Sequence, residues 1–365
     1  MPEVWIPYGG VETLVTIQAE NLGATVEPAS EGASVGPDAL TETLKGGPAS
    51  IFACDTFPTT ASAIKDALNA LNDPEPPRIY STEPKKLESL TPDLKGRVSL
   101  LGRAQTGEGV SQGPLQDLAA PGRKLFVATA HPDPFFGLTD ARVQTALNWV
   151  AGTSLGSTRN DFEPTPFELT ESYEESIRRT DNLSDSAFFS IVPRGGRLHQ
   201  LLVNAHFDAI KSGFMKSEVS PARGLIIGVG GRGYDDTLSS ALRMVWSAIG
   251  GVKRGGEVLL VSECSDGLGS PALDMFASGR IQEDRGKRRE KHVQGMEEIF
   301  YLSKLKEDYG VLLLSGLPEI FAKSKLGLST ARGSGEAVGR LINKLGRTAK
   351  INLVTRTGEC RVTSA

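Results

Sequence analysis

Short apolar runs followed by helical patterns recur along the whole chain, and they constrain its fold more than any other feature. The apolar runs lie at residues 51–53, 124–129, 224–229, 257–262, 311–315 and 351–355. Helical patterns, with apolar residues three or four apart, lie at residues 61–71, 141–150, 236–249 and 334–345. The run GLIIGV at 224–229 is uninterrupted, as in strands buried on both faces of a parallel sheet. Strands alternating with helices predict an α/β fold with largely parallel sheets flanked by helices.

The length of 365 residues fits two domains or one large one. A stretch rich in Lys and Ser gives way to the GLIIGV strand near residues 217–221. We therefore predict an N-terminal domain of residues 1–217 and a C-terminal domain of residues 218–365, with a cleft between them. Residues 73–77 (DPEPP) are predicted as a turn or linker, because prolines remove backbone donors. Residues 152–185 are predicted as a long polar loop with one short helix.

Composition argues against several classes of function. There are 40 Lys and Arg against 44 Asp and Glu, and this net charge of −4 gives no reason to expect a nucleic-acid or membrane partner. The cysteines, Cys54, Cys264 and Cys360, are odd in number and far apart, which excludes a disulfide framework and CxxC metal sites. The apolar runs are far shorter than the roughly 20 residues of a membrane span. The first residues lack the pattern of a secretory signal. We expect a soluble, cytoplasmic protein.

A glycine-rich turn follows the GLIIGV strand. Gly228, Gly230 and Gly233 form a GxGxxG pattern between a strand and a helix, which is typical of dinucleotide sites. Such sites place an acidic residue about 20 positions further on. The nearest candidate, Glu263, lies 30 residues beyond Gly233. The three glycines are therefore candidate cofactor contacts, with close packing of strand against helix as the alternative.

Two loops after predicted strands carry polar side chains. His131 and Asp133 follow one strand, where ligands of α/β folds gather, and Asp133 can orient the imidazole, so both are catalytic candidates. Arg142 can hold a carboxylate substrate. Asp55 and Thr56 follow another strand and can bind a polar ligand, or else form a turn and helix cap. For His131 the alternative is a structural hydrogen bond in a loop stiffened by proline.

The remaining histidines offer little for metal binding. The chain has four histidines in all. His199 and His206 are seven residues apart without a neighbouring carboxylate pattern, and His292 lies in a basic segment with interleaved acids. We therefore predict no metal site.

The succession of segments resembles the nickel-pincer lactate racemase family. The start is similar at residues 6–9 (IPYG) and 20–23 (ENLG). The second half is more similar, at residues 186–216, 224–244, 255–269 and 309–361. The resemblance implies two α/β domains with the active site in the cleft between them. It also implies racemisation of a 2-hydroxy acid by hydride transfer to a nicotinate-derived nickel pincer that is tethered to a lysine.

The residues that carry this chemistry in the family are mostly replaced here. Pro134 stands at the position of one catalytic histidine, and Arg142 or Val143 at that of the tethering lysine. Residues 78–84 (RIYSTEP), where the other catalytic histidine is expected, contain none. Residues 55–58 (DTFP) resemble the family's DHTRP motif without its His and Arg. The resemblance therefore implies a racemase-like scaffold that lacks the tethered nickel cofactor.

Three hypotheses follow. The first is an isomerase of racemase or epimerase type, which acts on a small 2-hydroxy acid or related carboxylate in the cleft. In the family, a Gln and a Lys that contact substrate correspond to Ser240 and Arg243, and Arg243 can still pair with a carboxylate. The candidate substrate contacts of this isomerase are Asp55, Thr56, Arg142, Ser240 and Arg243. The second is a non-catalytic ligand-binding or interaction module on the same scaffold. The third is an NAD-dependent oxidoreductase that uses the glycine turn.

Overall fold

The chain folds into alternating strands and helices, which confirms the predicted α/β class. The computed structural model describes residues 1–29, 38–45, 49–71, 77–102, 118, 122–151, 155, 163–281 and 293–365. Within these ranges two six-stranded sheets form the framework, and helices flank them. None of the described helices is long and apolar enough to cross a membrane.

The strands and helices have the following bounds. The strands are β1 (Glu3–Tyr8), β2 (Val11–Thr16), β3 (Leu22–Val26), β4 (Ala49–Ala53), β5 (Arg78–Ser81), β6 (Val98–Leu100), β7 (Arg123–Thr129), β8 (His131–Asp133), β9 (Gly137–Thr139), β10 (Ser186–Arg194), β11 (Arg197–Val203), β12 (Met215–Val219), β13 (Ala222–Gly228), β14 (Val252–Val261), β15 (Gly310–Leu314), β16 (Ser329–Ala331), β17 (Ile351–Val354) and β18 (Cys360–Ser364). The helices are α1 (Asp38–Lys45), α2 (Pro58–Asn69), α3 (Pro84–Leu90), α4 (Ala141–Thr145), α5 (Glu171–Thr180), α6 (Phe207–Gly213), α7 (Leu238–Val245), α8 (Pro271–Ala277), α9 (Met296–Asp308), α10 (Glu319–Phe321) and α11 (Ser334–Leu345).

The first sheet has the strand order β11-β10-β7-β4-β5-β6. Its strands run parallel except for β11, which forms an antiparallel hairpin with β10. Ile51 and Leu125, on adjacent strands, are fully buried and pack in one cluster with Ile64 of α2. This cluster fixes α2 against the sheet, so that the start of the helix lies beside the carboxyl end of β4.

The second sheet has the order β16-β15-β14-β13-β17-β3, and all its strands are parallel. The strand β3 comes from the start of the chain and pairs with β17, with Leu22 opposite Ile351 and Val26 opposite Val354. Residues 22–26 thus belong to the sheet built from residues 222–354, although the predicted division at residue 217 assigns them to the other domain. The division itself stays a prediction, since strand pairing alone does not define a folding domain.

Helix boundaries follow local capping. The pattern at 61–71 forms α2, which begins earlier because Pro58 occupies its first turn. The pattern at 236–249 gives a shorter α7, because the Thr237 side chain accepts the Ser240 amide at 3.1 Å and so caps the helix. The pattern at 141–150 continues from α4 into a π-helical turn at Ala146–Val150. Residues 73–76 of the predicted linker, most of 152–162 in the predicted loop, and His292 lie outside the described residues.

Candidate functional site

A cleft of about 600 Å³ opens between the two sheets. It lies where strands of both sheets reach their carboxyl ends, the usual place for ligands of α/β folds. Its walls come from the β1–β2 turn, the start of α2, the β10–β11 turn, the glycine turn after β13, and the segment after β17. Segments from the two sheets therefore face each other across one space.

Three arginines make the wall of this cleft cationic. Arg197 begins β11 directly after the β10–β11 turn, Arg232 lies in the glycine turn, and Arg356 follows β17. Within the described part of the chain, Arg197 and Arg232 are exposed and form no ion pair with a carboxylate. Two glutamates, Glu12 and Glu359, also line the cleft. Guanidinium groups hold carboxylates in forked hydrogen bonds, so this wall suits an anionic ligand.

The glycines of the GxGxxG pattern are used for packing inside the protein. A Cβ at Gly228 would lie 2.5 Å from the Thr355 carbonyl oxygen, and still closer to the Ile6 side chain. At Gly233 (φ +87°) it would lie 2.6 Å from the Phe57 ring, and at Gly230 (φ +131°) 2.9 Å from the Tyr234 ring. These contacts agree with the alternative that the glycines allow close packing of the protein's own segments. Of the three candidate cofactor contacts, Gly230 lines the cleft.

Two carboxylates stand between the glycine turn and α7. Asp235 is fully buried and accepts the Gly9 amide at 2.6 Å, which joins the β1–β2 turn to the glycine turn. Asp236 accepts the Gly233 amide at 3.1 Å and pairs with Lys86 of α3 at 2.7 Å. In a dinucleotide site, the pyrophosphate lies at the amide groups of this turn and helix start. The Asp236 carboxylate already accepts one amide of this turn, and its charge opposes a phosphate there.

Asp55 and Thr56 lie at the carboxyl end of β4, just before α2. The Asp55 carboxylate accepts the Phe57 amide at 3.1 Å and the Thr129 amide at 2.6 Å, so it joins β4 to β7. These bonds form the turn that was the alternative to ligand binding, and Thr56 is half-buried beside it. Burial raises the pKa of the Asp55 carboxyl to about 7, although its hydrogen bonds act in the opposite direction. Asp55 can therefore hold or release a proton near neutral pH.

The raised pKa of Asp55 predicts a pH dependence of stability. Between about pH 4 and pH 7 the folded protein holds a proton on Asp55 that the unfolded chain has lost. The protonated Asp55 therefore stabilises the fold at low pH, and this stabilisation is lost as the pH rises through 7. Asp55→Asn should therefore reduce the fall in the free energy of unfolding between about pH 5 and pH 8. Burial raises the pKa of Asp235 to about 6, so part of the fall will remain. Urea unfolding of both proteins at about pH 5 and pH 8 measures the fall in the free energy of unfolding. An equal fall in the wild type and in Asp55→Asn would contradict the raised pKa of Asp55.

His131 is buried behind the cleft. Its ring nitrogens lie 2.7 and 2.8 Å from the Thr139 hydroxyl, and its ring packs 5.5 Å from that of Phe57 and 6.3 Å from that of Tyr234. Burial lowers the pKa of His131 below its usual value and outweighs the opposing effect of Asp133, which favours the neutral ring. Among the described residues that line the cleft, His131 is not found. Its role as acid or base stays a prediction that requires Phe57 or Tyr234 to move.

Arg243 binds three carboxylates of the protein itself. Its Nη1 donates to Asp133 at 2.8 Å, its Nε to Glu298 at 3.0 Å, and its Nη2 to Glu297. Asp133 also accepts the amides of Phe135 and Phe136 at 2.7 and 2.8 Å. The cluster joins β8 to α7 and α9, and all four side chains are largely buried. Each guanidinium nitrogen thus already has a carboxylate, so this geometry makes Arg243 and Asp133 a structural tie.

The pKa values of Asp133 and Glu298 in this cluster shift in opposite directions. Burial acts to raise the pKa of Asp133, but Arg243 and the backbone amides outweigh it and hold that pKa below its usual value. Burial, assisted by the neighbouring Glu297, raises the pKa of Glu298 despite the opposing effect of Arg243. One guanidinium therefore holds Asp133 ionised, while burial keeps the pKa of Glu298 raised beside it.

Arg142 and Ser240 lie apart from the cleft lining. Arg142 pairs with Asp181 at 2.5 Å and lies over the Phe188 ring at 4.7 Å. The Ser240 hydroxyl lies 3.0 Å from the Thr237 hydroxyl in the cap of α7. Neither is among the described residues around the cleft, so both stay predicted contacts without geometric support.

The side chains do not fit the lysine-tethered nickel group that the family resemblance implies. At the position that the resemblance assigns to the lysine, Val143 is fully buried and Arg142 is held by Asp181. Within the described ranges, no three His, Cys, Asp or Glu side chains are grouped as metal ligands. The donor set here gives no basis for a step through that group.

Several cleft residues escaped the sequence analysis: Arg197, Arg232, Tyr234, Arg356 and Glu359. They come from three separate parts of the chain: the β10–β11 connection, the glycine turn after β13, and the segment after β17. Single arginines and glutamates on turns are common, and only the fold brings these together. A weak signal existed at Arg232 and Tyr234, which lie within or next to the glycine pattern.

Comparisons with known proteins agree on the fold. No protein-family model matches the chain, and no curated protein sequence matches it. The lactate racemase apoprotein from Thermoanaerobacterium thermosaccharolyticum is similar in structure, with a TM-score of 0.70 and 13% identity over 99% of this chain and 100% of that one. A protein from Thermotoga maritima has a TM-score of 0.56 and 10% identity over 90% of this chain and 97% of that one. The chain therefore has a lactate racemase-like fold.

Proposed function

We propose that this protein is an isomerase of racemase or epimerase type that binds a small 2-hydroxy acid or related carboxylate in the cleft. The observation that carries the proposal is the cationic wall formed by Arg197, Arg232 and Arg356 between the two sheets. Forked guanidinium bonds orient a carboxylate, which is the group common to these substrates. The likeness in fold to a lactate racemase apoprotein supports the same class of ligand.

The proton chemistry would come from the protein's own side chains. Asp55 lies at the end of β4, three residues before Pro58 and four before Thr59, which both line the cleft. Its pKa of about 7 lets it act as an acid or a base at physiological pH. We propose no tethered nickel cofactor, because the position of its lysine is taken by buried or paired side chains.

A non-catalytic ligand-binding module is the second candidate, and one observation favours it. His131, the catalytic candidate of the sequence, is buried behind Phe57 and Tyr234. The nicotinamide-dependent oxidoreductase has less support, since Gly228 and Gly233 pack against protein atoms and Asp235 follows the turn.

Arg232→Ala tests the ligand class. We expect it to weaken the binding of a 2-hydroxy acid by about tenfold or more, because it removes one charge-assisted hydrogen bond worth about 1.5–3 kcal/mol. Arg232 is exposed, so the variant should remain folded. Arg254→Ala is the matched control, since Arg254 is an exposed arginine that pairs with Asp308 and does not line the cleft. Equal losses in the two variants would contradict the proposed site.

The reaction is tested by incubating single enantiomers of 2-hydroxy acids, lactate first, with the protein. Chiral chromatography should detect the opposite enantiomer with the wild type and less of it with Arg232→Ala. Binding without conversion of any acid in the panel would favour the non-catalytic module.

A further inference from the structure

Glu359 is a buried carboxyl beside the cleft with one oxygen left without a partner. Its side chain is fully buried, and its Oε1 accepts the Gly196 amide of the β10–β11 turn at 2.9 Å. Its Oε2 is buried without a hydrogen bond among the described residues. A buried carboxylate is costly unless it is paired, so its charge depends on the cations around it.

Arg356 is the cation that pairs with Glu359, and it also lines the cleft. Its Nη1 donates to the Gly230 carbonyl at 3.1 Å and lies 3.5 Å from Glu359 Oε1. The arginine side chain is 20% exposed, whereas that of Glu359 is not exposed at all. An anion in the cleft can therefore reach the guanidinium from the open side while Glu359 contacts it from the buried side.

We propose that Glu359 is the internal counter-ion of the anion site, and that binding of an anion in the cleft is coupled to proton uptake by Glu359. The inference rests on the proposed function only in assuming that the cleft binds anions. When a ligand carboxylate pairs with Arg356, the guanidinium stabilises the charge of Glu359 less. Glu359 then takes a proton from solvent, and no other bond changes.

The groups around Glu359 favour this direction. Burial raises the pKa of Glu359, while Arg356 and the amides of Gly195 and Gly196 act to lower it. Tyr234 also interacts with Glu359; its hydroxyl is buried without a partner among the described residues, and burial raises its pKa well above its usual value. A neutral phenol gives no positive charge to replace that of Arg356. The coupling has a definite sign: affinity for anions should rise as the pH falls.

Isothermal titration calorimetry tests the coupling with L-lactate and, separately, with sulfate. Each titration is run at one pH in two buffers of different ionisation enthalpy, and then at several values between about pH 5 and pH 8. The difference between the buffers gives the number of protons bound with the anion. We expect uptake of up to about one proton, and an affinity that weakens by up to about tenfold per pH unit where Glu359 titrates.

Glu359→Gln should abolish most of this uptake, because its amide oxygen can still accept the Gly196 amide but cannot take a proton. Asp308→Asn is the control, since Asp308 is a carboxyl that pairs with Arg254 and is not among the described residues that line the cleft, and this variant should keep the uptake. If the Gln variant does not fold, the wild-type titrations alone decide. Anion binding without proton uptake overturns this inference and leaves the proposed function standing, whereas no binding of either anion overturns both.

Discussion

Replacing Arg243 with alanine should lower the free energy of unfolding by about 3–5 kcal/mol, the usual cost of removing one partner from a buried ion pair. Asp133, Glu297 and Glu298 each lose the guanidinium nitrogen that they contact. Three largely buried carboxyl groups would then have no cation, and they would have to take up protons or let water in. Urea unfolding at neutral pH measures the loss.

The control for this variant is Lys216→Ala. Lys216 pairs with Glu218 at 2.7 Å, but both side chains are 60% exposed. Solvent screens such a pair, so its loss should leave stability nearly unchanged. Equal effects of the two substitutions would show that the Arg243 cluster does not tie β8 to α7 and α9. If instead Arg243→Ala kept its stability and lost carboxylate binding, Arg243 would be the substrate contact that the sequence suggested.

Gly228→Ala should destabilise the protein by about 1–3 kcal/mol, which is typical of overpacking. The added Cβ would lie 2.5 Å from the Thr355 carbonyl oxygen and against the Ile6 side chain, so the backbone at Thr355 and the Ile6 side chain must shift. Thermal or urea unfolding measures the change. The result distinguishes internal packing from cofactor binding as the role of Gly228. A glycine needed only for close approach of a cofactor could be replaced in the ligand-free protein with little loss of stability.

Gly339→Ala is the matched control with the opposite expected sign. Gly339 lies in α11, is exposed, and has no atom within 4 Å of an added Cβ. Alanine there should stabilise the protein by about 0.5–1 kcal/mol, since glycine is unfavourable inside helices. A stable Gly228→Ala variant would reopen the interpretation of the turn as a ligand site.

The sequence predicted the elements that depend on local pattern. The buried strands β4, β7, β13, β14, β15 and β17 overlap the apolar runs, because a strand covered on both faces needs an unbroken apolar stretch. It also placed Asp55 and His131 at the carboxyl ends of strands in the first sheet, where the structure has them.

What the sequence could not reveal are contacts between distant segments. The pairing of β3 with β17 joins residues more than 300 positions apart, and no local signal in residues 22–26 marks that partner. The carboxylates that pair with Arg243 lie on β8 and α9. The sequence therefore showed that Arg243 is charged, but not that these carboxylates bind it. The cleft arginines, likewise, share a wall only because three turns converge.

The central claim is that the cationic wall of the cleft binds a small carboxylate. The most direct measurement is calorimetric titration of a panel of 2-hydroxy acids, including both enantiomers of lactate, into the wild type and into an Arg197→Ala/Arg232→Ala double variant. At least one acid should bind the wild type saturably, and the double variant should bind it about a hundredfold more weakly, as two lost charge-assisted bonds predict. Equal binding by both proteins, or no binding of any acid to the wild type, would contradict the account.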